Sequence, residues 1–185
     1  NTDCLLRHFP GASYANYLLI EDEQTGEMVA TTCLIPWQFS YEGITLRTAQ
    51  LEQVLSHPSY RRHGLVKILI KRFMQMVVER QYDLSFIWGI PYYYRQYGYA
   101  YCIEGDMRES LPAWRIPDAL ESDNGAFRLR KAALEDAPVL TEICHNAMQS
   151  LQFYTLRNQE HWKYLLEWAK FPVQVVEDQR TGQVI

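Results

Sequence analysis

The chain has 185 residues, 48% of them hydrophobic and 22% charged, and a formal net charge of −4. That is room for one globular domain or a domain and a fraction, and the acidic balance removes any general reason to bind nucleic acid or an acidic surface. No stretch approaches the ~20 apolar residues of a membrane span and no signal peptide is visible. The four cysteines, Cys4, Cys33, Cys102 and Cys144, form no CxxC pair. Cys33 and Cys102 lie in apolar runs and read as buried free thiols, which suits a cytoplasmic setting. The histidines and cysteines lack ligand spacing, so no metal is expected.

In chain order, residues 15–22 read as a strand, Glu23-Gln24-Thr25-Gly26 as a turn, and 27–37 as the hairpin partner. A second turn at Tyr41-Glu42-Gly43 leads to a third strand over roughly 44–56, which ends before Pro58. Val66, Leu69, Ile70, Phe73, Met74, Val77 and Val78 then recur at three- and four-residue spacing, one apolar face of a helix. Leu84 to Trp88 reads as a short buried strand broken by Gly89-Ile90-Pro91. Residues 92–97 make one helical turn before Gly98, and 99–104 a further strand. Residues 110–125 read as a linker. Beyond it come a strand at 127–130, a helix capped by Asp136 with Leu140, Ile143, Cys144 and Ala147 on its apolar face, a second helix over about 158–169, and a strand at 173–176.

The last strand resembles the first. Ile20 to Val29 and Val176 to Ile185 carry Glu, Asp, Thr and Gly in identical register, 156 residues apart. This is a domain-sized offset, and a duplication explains it; the alternative is two hairpins that both need a polar turn ending in Gly. The expected organisation is a domain over 1–110, a linker over 111–125, and the start of a similar domain over 126–185. The fold class is α/β: a mixed, mostly antiparallel sheet flanked by helices, with part of a second repeat.

Residues 51–66 run strand, turn, two arginines, Gly64, then helix. A helix start exposes unpaired N–H groups at the positive end of its dipole, and a glycine lets a bulky anion approach the backbone. Arg61 and Arg62 add permanent charge. The parts suit a pyrophosphate. On these residues alone, a plain helix start with two solvated arginines explains them equally well.

Val54-Leu55-Ser56-His57-Pro58-Ser59-Tyr60-Arg61-Arg62-His63-Gly64-Leu65 resembles motif A of the GNAT-type N-acetyltransferase superfamily, whose pattern is Gln/Arg-x-x-Gly-x-Gly/Ala. Arg61 and Gly64 match; Val66 stands where Gly or Ala is usual. Tyr93-Tyr94-Arg95-Gln96-Tyr97-Gly98-Tyr99 resembles the Phe-Tyr-x-x-x-Gly-Phe signature of the same family. The resemblance covers residues 15–105. It extends more weakly to 126–185, which resembles the opening of another such domain, and the chain as a whole is similar to the tandem enhanced-intracellular-survival-type subgroup.

The resemblance implies direct transfer of an acetyl group from acetyl-CoA to a primary amine, on a small molecule or on a protein or peptide. Val54, Leu55 and Ser56 would flank the pantetheine arm, and Arg61, Arg62, His63, Gly64, Leu65 and Val66 the pyrophosphate. Tyr94 is the candidate proton donor to the leaving thiolate, with packing in a tyrosine-rich cluster as its alternative. Glu52 is the candidate base, placed two residues before Val54 and so on the same strand face, with a solvated strand carboxylate as its alternative. His57 and His63 are weaker bases. Trp37, Phe39 and Tyr41 are core aromatics or acceptor-pocket lining. A non-catalytic acyl-CoA-binding or assembly module is the rival reading. No nucleic-acid or membrane partner is expected, and homo-oligomers stay open. The family's first strand and helices have no counterpart before residue 15, so residues 126–170 are candidates to complete the sheet, within the chain or by exchange between chains.

Overall fold

The computed structural model describes residues 2–90, 92–102, 126–169 and 172–185. Helix α1 (Thr2–His8) leads into β1 (Tyr17–Glu21), β2 (Met28–Tyr41) and β3 (Ile44–Ser56), an antiparallel meander. The β2–β3 connection is the two-residue turn Glu42-Gly43. Both residues have positive φ (48° and 80°), the turn whose twist suits a tight hairpin. Helix α2 (Leu65–Glu79) then crosses over to β4 (Leu84–Phe86), which pairs parallel with β3. The sheet is therefore mixed and mostly antiparallel, flanked by helices, as expected.

Alternation along β2 sends its side chains into two cores. Leu34 joins Ala49, Leu51 and the α2 residues Ile70, Phe73, Met76 and Val77. Cys33 and Ile35 face the other way, onto Leu6 of α1 and Phe9. Phe73 is fully buried, and trimming such a ring to Ala costs about 3–5 kcal/mol. The helical stripe needs one correction: Met76 is buried whereas Val78 is 76% exposed, because a 3.6-residue period carries position 78 off the face.

The C-terminal part forms a second sheet from β5 (Phe127–Lys131), β7 (Gln174–Asp178) and β8 (Gln183–Val184). Against it pack α3 (Ala137–Met148) and α4 (Gln159–Lys163), the latter continued by a π-helical turn over Tyr164–Trp168. Its core is Ala132, Ala137, Leu140, Trp162 and Val175. Two expectations fail here. Asp136 does not cap α3, because its carboxylate is taken by Arg130 and by the Ala133 amide. Ile143 and Ala147 are exposed, and Leu140 with Cys144 carries the packed face.

One strand leaves this part for the first sheet. Thr155, Tyr154 and Phe153 (β6, Phe153–Thr155) pair antiparallel with Phe39, Ser40 and Tyr41 at the far end of β2. Phe153 stacks on Phe39 at 4.7 Å between ring centres. Phe39 is thus a core aromatic, while Tyr41 is half exposed. Pro36, which has no N–H to give, falls between the β1-paired and β6-paired stretches of β2.

The expected strand at 99–104 is absent from its described part. The Tyr99 amide donates to Tyr94 O (3.4 Å), and Arg95 lies over the Tyr101 ring. The segment folds back on its own aromatic turn instead of joining a ladder. Cys102 is exposed as a result, against the expectation of burial, whereas Cys33 is buried. Residues 103 and 104 and the 110–125 linker lie outside the described residues.

Candidate active site

The β3–β4 ladder runs Thr48↔Leu84, Ala49↔Ser85, Gln50↔Phe86, and ends there. Beyond Gln50 the strands part. A cleft of about 300 Å3 opens between Leu51–Leu55 on one side and Ile87–Ile90 on the other, with Tyr94 on its wall. A wider groove of about 730 Å3 follows the outer face of α2 from Lys67 to Glu79. The narrower cleft gathers the candidate acid and base, Tyr94 and Glu52.

A β-bulge shapes the cleft. Gln53 has φ +55°, and Gln53 with Val54 stands opposite Thr32 alone. The Thr32 hydroxyl donates to Glu52 O (2.9 Å) and the Thr31 hydroxyl to Gln53 O (3.2 Å), holding the distortion. The bulge breaks strict alternation. Glu52 and Val54 both reach the cleft because the strand kinks between them, not because they sit two apart. Nothing in the sequence announces this, since Gln is not a residue that favours positive φ.

Glu52 is held by its neighbours. Trp37 Nε1 donates to Gln50 Oε1 (2.7 Å), and an indole N–H can only donate. That fixes the Gln50 amide with its nitrogen toward Glu52 Oε2 (2.6 Å), while the Gln53 amide donates to Oε1 (3.2 Å). Both carboxylate oxygens accept. The same negative charge, after burial, lifts the Cys33 thiol to about 12, so Cys33 stays protonated and is no nucleophile.

Tyr94 sits in a 3₁₀ turn (Tyr93–Tyr97) between two left-handed residues, Tyr92 and Gly98. Its ring packs with Tyr93, Tyr97 and Tyr99. Burial chiefly, then the Tyr93 and Glu52 charges, raises its phenol, which keeps its proton near neutral pH. The ring lies so close to Gly89 that a Cβ there would come within 2.6 Å of it. Gly89 was legible in sequence only as a strand breaker; its second role is to make room for Tyr94.

Past β3, Pro58–Tyr60 form a 3₁₀ turn and the chain reaches Gly64 at φ +78°. A second left-handed residue, Arg62, has φ +66°. Arg61, Arg62, His63 and Gly64 are exposed, Leu65 and Val66 half-buried. The first amide to close a turn in α2 is Ile68, onto Gly64 O at 3.2 Å. Among the described residues, the amides from Arg62 to Lys67 meet no protein acceptor, and neither Arg61 nor Arg62 has an ion pair. Glu52, Val54, Leu55 and Tyr94 therefore share the cleft, and Arg61–Val66 cluster at the start of α2. Ser56 links the two groups without lining the cleft.

Residues 7–102 match the family model described as the acetyltransferase (GNAT) domain. The chain belongs to the GNAT acetyltransferase family. No curated protein matches it in sequence. Among solved structures this GNAT chain superposes on N-myristoyltransferase of Saccharomyces cerevisiae with bound myristoyl-CoA, at a TM-score of 0.68 and 16% identity over 98% of the chain. A conserved protein of unknown function from Enterococcus faecalis, a probable N-acyltransferase, matches 85% of the chain at a TM-score of 0.60 and 16% identity. The chain spans 48% and 40% of those two structures, about half or less of their length. At this identity the likeness speaks for the fold. Among the described residues no cluster of His, Cys, Asp or Glu is placed to hold a metal, and no helix is long and apolar enough to cross a membrane.

Proposed function

We propose that the chain binds an acyl-CoA, acetyl-CoA in the simplest case, and passes the acyl group directly to a primary amine. One observation carries this reading: at the start of α2, amides and two arginines without partners among the described residues lie just past the strand that walls an open cleft. The amides from Arg62 to Val66 take the pyrophosphate, and Arg61 and Arg62 add charge. The thioester lies in the cleft along the unpaired edge of Val54 and Leu55.

An amine nucleophile is protonated near neutral pH and has to lose a proton. Glu52, with both oxygens oriented, takes it through a water molecule. The amine attacks the thioester carbonyl carbon, the C–S bond breaks, and the departing thiolate receives the Tyr94 proton. The products are an amide and CoA thiol. The acceptor is a small-molecule or peptide amine in a cytoplasmic setting. Residues 126–185 are read as the opening of a second GNAT-like unit, as in tandem enzymes, on the strength of the paired hairpins.

Isothermal titration with acetyl-CoA tests the proposal: saturable binding is expected, and none at millimolar ligand would refute it. Tyr94→Phe is expected to lower thiol release by about a hundredfold, the scale of one lost proton donor, with CoA affinity within twofold of the parent. Unchanged release would take Tyr94 out of the mechanism.

A further inference from the structure

The 156-residue sequence match proves to be a match of hydrogen bonds. In the first hairpin the Gly26 amide donates to Asp22 O (2.8 Å) and the Gln24 amide to Asp22 Oδ1 (2.8 Å). In the second, Gly182 donates to Asp178 O (2.7 Å) and Arg180 to Asp178 Oδ1 (2.8 Å). Gly26 and Gly182 share φ +71°. Both turns thus use one carboxylate oxygen on their own backbone and leave the other to be taken.

They dispose of it differently. Asp178 Oδ2 is met by Arg180 of its own turn at 3.1 Å. Asp22 Oδ2 accepts the Tyr60 hydroxyl at 2.5 Å, across 38 positions of sequence. Tyr60 is the residue directly before Arg61. Its ring sits between those of His57 and His63, at 5.7 and 6.4 Å. Backbone bonds steady the stretch on the upstream side, from His57 to Val29 O and from Tyr60 to His57 O. Downstream, the amides from Arg62 to Lys67 donate to no acceptor among the described residues.

We infer that Asp22 is a positioning residue for the cofactor: through Tyr60 it sets the loop from Arg61 to Gly64 in the shape that receives a diphosphate. The inference rests on the acyl-CoA reading of that loop. Two left-handed residues, Arg62 and Gly64, have to be held in register for neighbouring amides to converge on one anion. A loop ordered before binding loses less entropy on binding. The hydroxyl of Tyr60 is the last side-chain anchor before the exposed stretch. The negative charge of Asp22 does the holding from the far side of Tyr60, where the carboxylate is already engaged by the turn amides.

The test is a double-mutant cycle on the full chain, read by titration with CoA and, separately, with inorganic pyrophosphate. Tyr60→Phe removes one oxygen. Asp22→Asn keeps an oxygen for the Gln24 and Thr25 amides but loses the charge. Each is expected to weaken CoA about fivefold, the scale of one hydrogen bond. The double variant should be no weaker than either single one, since both act through the same contact. Pyrophosphate should follow CoA, and Tm should stay within a few degrees throughout. Asp178→Asn, in the matching hairpin, should leave CoA affinity unaltered.

Full affinity in Tyr60→Phe overturns the brace and leaves the acyl-CoA reading standing. Additive losses in the cycle also overturn it, as does weakening that follows only from lost folded protein or appears equally in Asp178→Asn. Absence of CoA binding by the unmodified chain overturns the underlying reading, and the brace with it.

Discussion

Helices α2 and α3 both follow a short 3₁₀ turn, over Pro58–Tyr60 and Leu134–Asp136 respectively, and both present the positive end of a backbone dipole. Their surroundings differ. At α3 the carboxylate of Asp136 accepts the Ala133 amide at 2.8 Å, and a proline in the first turn removes a donor. Arg130, the nearby cation, is taken by Asp136 at 2.7 and 2.8 Å and by Glu177 at 2.5 Å. At α2 the N-cap is Gly64, with no side-chain acceptor, and the described surroundings leave Arg61 and Arg62 unpaired. A dipole is common to every helix. What separates the two starts is whether the charges beside them already have partners among the described residues.

The largest expected effect comes from setting an acidic side chain at the α2 start, where α3 has Asp136. Gly64→Asp places a carboxylate among the vacant amides and forces a side chain into a left-handed conformation. CoA affinity should fall by more than about a hundredfold, since an acceptor and a repelling charge are added together. Nothing stands within 4 Å of a Cβ at Gly64, so the cost to the fold should be confined to the strained left-handed backbone, about 1–2 kcal/mol. Calorimetric titration reads the first quantity and thermal melting the second. Retained CoA binding would break the comparison outright.

Next comes an exchange of roles between arginines. Arg62→Ala should weaken CoA about tenfold, as for one charge-assisted hydrogen bond, and flatten its salt dependence. Arg130→Ala should leave CoA affinity alone and lower Tm, because Asp136 and Glu177 lose their common partner. If both variants lowered Tm and neither touched CoA, Arg62 would be as structural as Arg130.

The same contrast explains what was legible beforehand. The third strand, its turn and the α2 stripe follow from alternation, Gly43 and a 3.6-residue period, all local signals. The Gly64 loop was legible because its parts are contiguous. The bulge at Gln53 was hidden because Thr31 and Thr32, which hold it, lie on another strand. The Gln50 link between Trp37 and Glu52 was hidden for the same reason. The predicted strand from Tyr99 failed because its alternating residues found ring partners in the preceding turn. Asp136 looked like a cap because sequence cannot show that Arg130 would claim its carboxylate.

A smaller effect is expected where Gly89 admits the Tyr94 ring. Gly89→Ala must push that ring by several tenths of an ångström, since the new methyl would lie 2.6 Å from it. Thiol release should drop by about tenfold, within the range a misplaced catalytic group costs, while CoA affinity, set at the α2 start, should hold. Loss of CoA affinity alone would mean that the cleft and the loop are not separable in the way the two helix starts suggest.

The smallest effect lies where the two halves meet. His161, on α4, is 8% exposed, stacks on Trp37 of β2 at 5.6 Å and makes an edge-to-face contact with Phe9. Burial, then the charge of Arg157, pulls its pKa down to about 4. In an unfolded chain it would titrate near ~6.5. Between those values the unfolded chain holds more protons, so stability rises with pH across this window. The contribution is complete above the unfolded value and disappears as pH falls through the folded one. Tm should therefore decline by a few degrees between pH 7 and pH 5, and His161→Phe, which keeps a ring against Trp37, should flatten that decline. An equally steep decline in the Phe variant would assign the acid sensitivity elsewhere. CoA affinity at pH 7 should be the same in both chains, because the contact lies across β2 from α2 and its vacant amides.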